Sequence, residues 1–591
     1  MHESILILYG SQTGCAEDVA LRIGREARRR HFQPEIMALD DLPKTRLGES
    51  TLAIFVCSTT GQGEEPDNMK SFWRWLLRKS LPENTLANLE FTVFGLGDSS
   101  YAKFNFPARK LYRRAVQLGG RCFYPCGEGD DQHYLGVDGM LDPWLQGLWE
   151  ALLSKYPLPS DCPIVPDSVQ PEASFRVELL GSVPKDQRVA SDPRYPANVV
   201  YTDLIKNERI TSSDHFQDVR HIVLRRSPQT SSPLVFQPGD TAQLFPRNIP
   251  TEVEEFLSQM NWIEVADQPL VVHPNLAGIQ LPPYLPNPTT LRTLFECYFD
   301  IYSVPRRSFF EMLSYFTDNP LETEKLREFC SAEGQDDLYA YSHRVRRTIV
   351  EVLRDFKSHH IPLDYLFDIF PDIRPRAFSI ASSLHAHPDE IHLTVGIVEY
   401  HTKLSTKRRG VCTKWLKALD PTTHSITLPL TLKRGTMRLP VSPEIPVIMV
   451  GPGTGVAPMR SFIQERVYQG AKKNVLFFGC RYANKDFYYQ DEWQALQTKG
   501  YLEYFAACSR DQAQKMYVQH LIREQTEYLW DLIHHHQAVI LISGNANRMP
   551  EDVKSAFTDI VRQKGNMPEA DAQKYIRQLE KSNRYVEECW Y

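Results

Sequence analysis

Ile5-Leu6-Ile7-Leu8-Tyr9-Gly10-Ser11-Gln12-Thr13-Gly14-Cys15-Ala16 decides the fold of the first part of the chain. An apolar run that ends in glycine and hydroxyl residues reads as a buried parallel strand entering a turn. Beyond the turn, Val19, Ala20, Ile23 and Ala27 recur at helical spacing with charged residues on the other face. A helix that starts directly after a strand presents unpaired backbone N–H groups, and with the hydroxyls of Ser11 and Thr13 these form an anion site. Glycine and serine are also the ordinary residues of strand-to-helix turns, so this loop alone leaves both readings open.

Working outward, residues 52–58, 91–96 and 122–125 read as three more buried strands, with helical stretches between them. Such alternation implies a parallel sheet covered on both faces. The strand ends carry Ser58-Thr59-Thr60-Gly61-Gln62-Gly63, then Leu96-Gly97-Asp98-Ser99-Ser100-Tyr101-Ala102-Lys103-Phe104-Asn105, then Gly127-Glu128-Gly129-Asp130-Asp131. Open parallel sheets bind ligands outside the carboxyl ends of their strands, where all four loops fall. Glu64, Glu65, Asp67, Asp98, Glu128, Asp130 and Asp131 lie on or beside these loops, which suits electrostatic steering of a partner as well as a solvated surface. Arg25, Arg28, Arg29 and Arg30 fall on the first helix, away from them.

The length of 591 residues calls for several domains, and 42% hydrophobic with 24% charged residues excludes a disordered or fibrous chain. A net charge of −6 argues against a dedicated nucleic-acid binder. The first residues are too acidic and their apolar run too short for a signal or anchor, and there is no uncharged apolar stretch of about 18 residues. A cytoplasmic protein without a membrane anchor is therefore expected. Eleven cysteines without a CxxC pair fit reduced thiols and no metal centre, and His534-His535-His536 reads as solvated surface.

Five prolines within residues 157–171 disfavour helix and central strand. The chain thus divides into 1–156, a Pro-rich linker 157–197, a β-rich region 198–440 carrying a helical insertion at about 260–370, and a second α/β region 441–591. In the β-rich region, Arg376-Ala377-Phe378-Ser379 offers a guanidinium, an aromatic ring and a hydroxyl, and Gly410-Val411-Cys412-Thr413 opens another helix. In the last region, Gly451-Pro452-Gly453-Thr454-Gly455 follows an apolar strand. Ser509-Arg510 stands at a further strand end, followed by Lys515-Met516-Tyr517-Val518-Gln519. Two cations, a hydroxyl and an aromatic face suit a ribose 2′-phosphate beside a stacked adenine, so NADPH is expected over NADH. The chain closes on Glu588-Cys589-Trp590-Tyr591.

The four loops of the first region resemble the flavodoxin family, and the later motifs resemble the ferredoxin-NADP⁺ reductase superfamily. Together, in this order, they resemble the diflavin reductases, and within them the branch that serves cytosolic iron–sulfur assembly. The resemblance implies a flavodoxin-like α/β domain, a β-barrel FAD-binding domain with a helical insertion, and an α/β NADP-binding domain. It implies that residues 11–16 hold the FMN phosphate, while 58–61, 96–105 and Asp131 surround the rest of FMN, with Tyr101 stacked on the ring. Thr60 stands where several relatives carry a second aromatic. It further implies that Arg346, Arg376–Ser379 and Gly410–Thr413 contact FAD, and that Thr454, Ser509, Arg510, Lys515–Gln519 and Asp552 contact NADPH. Ser379, Cys480 and Glu588 would line the hydride path, with Trp590 covering the FAD ring until nicotinamide arrives. Electrons would pass from NADPH to FAD to FMN to a protein acceptor, by likeness the anamorsin-type iron–sulfur scaffold. The competing readings are a microsomal-type cytochrome reductase without its anchor and a flavin-bearing interaction protein without reductase activity.

Overall fold

The computed structural model describes residues 3–49, 52–61, 63–101, 103–181, 189–404 and 406–590. These fall into two compact units, one made of 1–194 with 249–373 and 402–404, the other of 195–248, 374–401 and 405–591.

The first unit contains a parallel sheet in the order Gln33–Ala38, Ser4–Gly10, Leu52–Ser58, Glu90–Gly97, with Arg121–Cys122 and Gly127–Asp130 beyond. Alternate residues of each strand face opposite layers. Leu6, Leu8, Phe55 and Phe91 fill one core, while Ile5, Ile7, Ile54, Phe94 and Trp144 fill the other with Val19, Ala20, Ile23 and Ala27 of the first helix. Strand order reverses between the parallel neighbours Ser4–Gly10 and Leu52–Ser58, one being followed outward to Gln33–Ala38 and the other to Glu90–Gly97, and this is the switch point where a flavodoxin-like sheet takes its ligand. The last strand departs from the sequence expectation for residues 122–125. Pairing ends at Cys122 and resumes at Gly127, opposite Phe94. Gly127 lies so close to Phe94 and Trp144 that a Cβ would stand 2.3 Å from a Phe94 ring carbon. A glycine segment that reads as loop can therefore run as a strand.

The second body of this unit is helical, from Pro250–Gln259 to Leu366–Ile369, around Phe256, Phe295, Phe299 and Phe370. Phe175 joins this core, and strand Phe175–Leu179 pairs antiparallel with Leu270–Pro274. Part of the expected 157–197 linker is thus a strand of the helical body. Its Pro-rich part is pinned as well. Arg29 donates to the carbonyls of Pro166 and Val169, Val165 donates to Arg29 O at 2.9 Å, and Tyr365 donates to Pro171 O at 2.9 Å.

The second unit pairs a six-stranded antiparallel sheet with a parallel one. The first runs Arg376–Ser379, Thr241–Leu244, Thr427–Lys433, Val200–Arg209, Val219–Arg226, Glu390–Gly396, and the bridge Ile380↔Leu393 joins its two ends into a nearly closed barrel. The parallel sheet runs Glu503–Cys508, Asn474–Cys480, Val447–Val450, Val539–Asn545, Tyr585–Trp590. The final residues, for which the sequence marks no strand, are thus its edge strand, in register with 540–545. Among the described residues no helix is long and apolar enough to cross a membrane.

A histidine cluster lies where barrel and parallel-sheet domain meet. Arg460 donates to Nδ1 of His392 at 3.2 Å, so the ring proton sits on Nε2 and is donated to Glu390 at 3.1 Å. His221 contacts the Tyr489 hydroxyl at 3.0 Å. Burial, reinforced by the Arg460 charge, pushes His221 down to about 3, and burial with Arg460 and His387 pushes His392 down to about 4 despite Glu390. Unfolded imidazoles take up protons near pH 6.5, which the folded ones refuse until much lower pH. Stability is therefore full above about 6.5 and falls as pH drops toward 4, by up to roughly 1.4 kcal/mol per pH unit for each histidine. His392→Gln is expected to flatten this acid limb in melting curves. An unchanged slope between about pH 6.5 and 5 would rule it out.

Candidate functional site

In the first loop, the Ser11 amide donates to Asn68 Oδ1 at 2.8 Å, and the Gly14 amide to Ser11 Oγ at 3.0 Å. Gly14 holds φ at 90° and caps helix Cys15–Arg29, a conformation that favours glycine. Thr13 and Gln12 point outward, whereas Ser11 and Ala16 are buried. Burial pushes the Cys15 thiol up to about 11, although Arg306 opposes it, so this cysteine is inert.

The neighbouring strand ends complete a cradle. Ser58 Oγ donates to Gly10 O at 3.1 Å, and Thr59 donates its amide to Leu96 O at 2.8 Å. Thr60 closes a tight turn with Glu64, with Gly61 inside it at φ 46°. Asn105, fully buried, donates to Gly129 O at 3.1 Å, and a Cβ on Gly97 would stand 2.8 Å from its Oδ1. Ser99 and Gln132 donate their amides to Asp130, and Ser100 donates to Asp98. Tyr101 is exposed, Phe104 carries the Arg109 guanidinium at 5.5 Å, and Lys103 packs on Gly63. Ala102 lies outside the described residues. Thr59 Oγ1 is buried and makes no hydrogen bond among the described residues, an acceptor and donor left over for a bound group. The residues fit a flavin mononucleotide.

Charges around this cradle differ from the sequence expectation. Glu65 pairs with Lys110, Glu128 with Arg109 through both oxygens, and Asp67 with Lys70 at 2.8 Å. Three of the seven carboxylates are therefore neutralised locally, while Asp98 and Asp130 keep their charge and accept from the loop's own amides. The helix arginines are no solvated face either. Arg25 meets Glu311 at 3.3 Å, Arg22 meets Asp142 at 2.7 Å, and Arg29 is buried. Sequence reasoning missed Asn68 and Arg306, which donates to Thr13 O at 2.8 Å. No local signal marks an arginine that arrives from nearly 300 residues away. Arg346, in the left-handed region at φ 53°, lies in the same unit and lowers the pKa of Asp131, which burial raises.

In the second unit, Arg376 and Ala377 are exposed on their strand and Phe378 and Ser379 half-buried. Gly410 caps helix Val411–Ala418, donates to Val398 O at 3.0 Å, and leaves no room for a Cβ between Thr413 and Val398. Burial pushes the Cys412 thiol up to about 12 against the pull of the Arg376 charge, so strand and helix N-terminus share one field. An exposed guanidinium beside a helix N-terminus is a fitting seat for a pyrophosphate such as that of FAD.

The parallel sheet gathers the remaining residues at its carboxyl edge. A Cβ on Gly455 would strike Ser543 O, and one on Gly479 would contact Pro452, so loop 451–455 is wedged between two strand ends. Thr454 stands beside Gly396 of the barrel. Glu588 accepts from Thr436 at 2.9 Å and lies 3.6 Å from a Cβ on Gly435, whose amide donates to Asp240, whose carbonyl in turn accepts from Ile380 next to Ser379. Glu588 and Ser379 are thereby brought to one rim, where Trp590 is 38% exposed. Cys480 stands in register with Cys508, Sγ to Sγ at 3.5 Å. Ser509 is buried and donates to Cys480 O, while Arg510 and Lys515 are exposed and make no ion pair among the described residues. Two open cations suit a phosphate dianion. Tyr517 is exposed, and Gln519 donates to Asp552 at 3.2 Å. Met516 and Val518 turn the other way, packing on the core of this domain.

Comparison with known proteins agrees with this order. A Flavodoxin profile matches residues 7–144, an FAD binding domain profile 192–415 and an Oxidoreductase NAD-binding domain profile 449–555. The chain is 45% identical over 596 residues to NADPH-dependent diflavin oxidoreductase 1 of Bos taurus, covering 99% of each. It is 46% identical over 597 residues to the protein of that name in Mus musculus, and 38% over 590 residues to that of Schizosaccharomyces pombe, again covering 99% of both chains.

Proposed function

The chain belongs to the NADPH-dependent diflavin oxidoreductases, and from that premise we propose that its electrons end on a small iron–sulfur scaffold protein of the anamorsin type in the cytosol. When bound, NADPH supplies a hydride, FAD splits the electron pair and FMN hands electrons on singly. The observation that carries the reading is the full-length match of a chain with three nucleotide cradles in this order.

In this reading the domains are 1–156, 198–440 with its insertion, and 441–591. Loop 11–16 holds the FMN phosphate through backbone amides and the Thr13 hydroxyl, while Thr59, Tyr101 and Asp131 border its ring and ribityl chain. Arg376 and the amides of 410–413 hold the FAD pyrophosphate, with Arg346 as a further contact and Phe378 beside the ring. Ser509, Arg510 and Lys515 grip the 2′-phosphate, and Tyr517 stacks on the adenine. Ser379, Cys480 and Glu588 orient the reacting rings and hold the proton inventory around them, and Trp590 excludes water from the FAD face until nicotinamide displaces it. With Glu65, Asp67 and Glu128 already paired, Glu64, Asp98, Asp130 and Asp131 are the acids left to guide an acceptor, so steering is weaker than the sequence alone implies.

The test uses the flavin-loaded enzyme and a purified anamorsin-type protein. NADPH is expected to bleach the visible absorbance of its iron–sulfur cluster at catalytic enzyme levels, and NADH to do so much more slowly. Reduction of cytochrome c without reduction of the scaffold protein would leave the oxidoreductase in place and remove this acceptor.

A further inference from the structure

The nicotinamide-side strand ends carry a second thiol for which the reaction has no use. We propose that Cys480 and Cys508 are a modification site, joined by hydroperoxides into a reversible disulfide that shuts off electron entry from NADPH.

Geometry supports the bond. Strands Asn474–Cys480 and Glu503–Cys508 are parallel neighbours, and the two cysteines are their in-register last residues. Neighbouring parallel strands run about 4.8 Å apart, inside the roughly 4.4–6.8 Å that disulfide-linked Cα atoms span. In-register side chains leave the sheet on the same face, and here the sulfurs already touch at 3.5 Å. Closing to a bond of about 2.05 Å asks for side-chain rotation and no backbone rearrangement.

Chemistry sets the order of events. Burial, with the nearby carboxylates of Asp486 and Asp511, holds both thiols above the ordinary range. The pair is therefore slow to react and answers sustained rather than brief exposure. Hydrogen bonding from Cys480 favours the Cys508 thiolate. Cys508 sulfur attacks one peroxide oxygen, the O–O bond breaks, and the departing oxygen leaves as water with the thiol proton, giving a sulfenic acid. Cys480 sulfur then attacks Cys508 sulfur, the S–O bond breaks, and a second water leaves with the Cys480 proton. Two thiols lose two electrons and two protons, and one hydroperoxide molecule, H2O2, becomes two waters. A dithiol reductant reverses the reaction by exchange.

The consequence follows from position. Ser509 donates to Cys480 O at 2.9 Å and Arg510 to Arg481 O at 2.8 Å, so the loop with the open cations hangs from these strand ends. Loss of activity on cross-linking rests on the hydride-path role proposed for Cys480, whereas formation of the bond does not.

Reduced, flavin-loaded enzyme is exposed to hydrogen peroxide, alkylated and digested without reductant. A peptide pair joined through Cys480 and Cys508, about 2 Da lighter than the two thiol peptides together, is expected. NADPH-driven ferricyanide reduction is expected to fall about tenfold in step with it and to recover with dithiothreitol, while Cys508→Ser keeps its activity under the same treatment. Cys508→Ala serves if the serine variant loses flavin, and the mass measurement on the unaltered protein needs no variant. Complete inactivation without the linked peptide, or a Cys508→Ser enzyme inactivated as fast as the parent, overturns the proposal. Linked peptide with undiminished activity upholds the modification site, overturns the shut-off and removes Cys480 from the hydride path.

Discussion

Arg510→Ala is expected to weaken NADPH binding roughly 10- to 150-fold and to leave NADH nearly unchanged. A hydrogen bond to a charged group contributes about 1.5–3 kcal/mol, and each 1.4 kcal/mol is a factor of ten. Arg510 is exposed on the loop after strand Glu503–Cys508 and makes no ion pair among the described residues, so no protein carboxylate competes for it and removing it leaves no partner stranded. The loss therefore falls on the 2′-phosphate alone. NADH lacks that group, so the ratio of kcat/KM values for the two nucleotides should move toward one while kcat at saturating NADPH changes little. Lys515→Ala should do the same more weakly, since an ammonium meets a phosphate as a point charge and a guanidinium as a fork. Equal losses for both nucleotides in Arg510→Ala would sink the 2′-phosphate assignment.

Strand ends made this much legible. Parallel strands announce themselves as short apolar runs, and 52–58 emerges with its expected bounds, because strands buried on both faces have to be continuous in sequence. Loops at such ends inherit their position from the strands, which is why Ser11, Thr59, Gly97 and Asn105 read as one group of strand-end loops in the sequence alone. Edge and barrel strands were harder. Residues 585–590 and 376–379 are half-exposed and carry charges, so no apolar run marks them. Residues 127–130 carry two glycines and two acids, so no apolar run marks them, and Gly127 stands where Phe94 and Trp144 leave no space for a side chain. Least legible were partners distant in the chain. Arg22 and Arg25 look like a solvated helix face until Asp142, Glu311 and Arg307 come up against them, and periodicity holds no information about that contact.

That contact leads to the largest stability effect expected here. Asp142 takes Arg22 of the first helix at 2.7 Å on one oxygen, and Arg307 of helix Arg307–Ser314 at 2.6 Å on the other, with Gln335 at 3.1 Å. Burial would raise its pKa, but the two guanidinium charges overcome this and hold the carboxyl below the usual carboxylate range. In Asp142→Ala, Arg22 keeps Asp138 and Glu26, while Arg307 is left with Asp138 at 3.8 Å and a carbonyl, so two cations face each other. An orphaned buried charge costs about 3–5 kcal/mol, and with the Arg22 and Arg307 side chains 17% and 18% exposed the lower end applies. The flavodoxin-like domain is expected to melt earlier and to part from the helical body, whose Arg306 now covers Thr13 O and whose Ser308 holds Asp18. Salt acts on the same network by screening. Cytochrome c reduction by the parent should therefore rise with ionic strength as the phosphate loop comes free, whereas Asp142→Ala should begin near the plateau. A variant with the parent's melting temperature and salt dependence would show that these charges do not hold the domain.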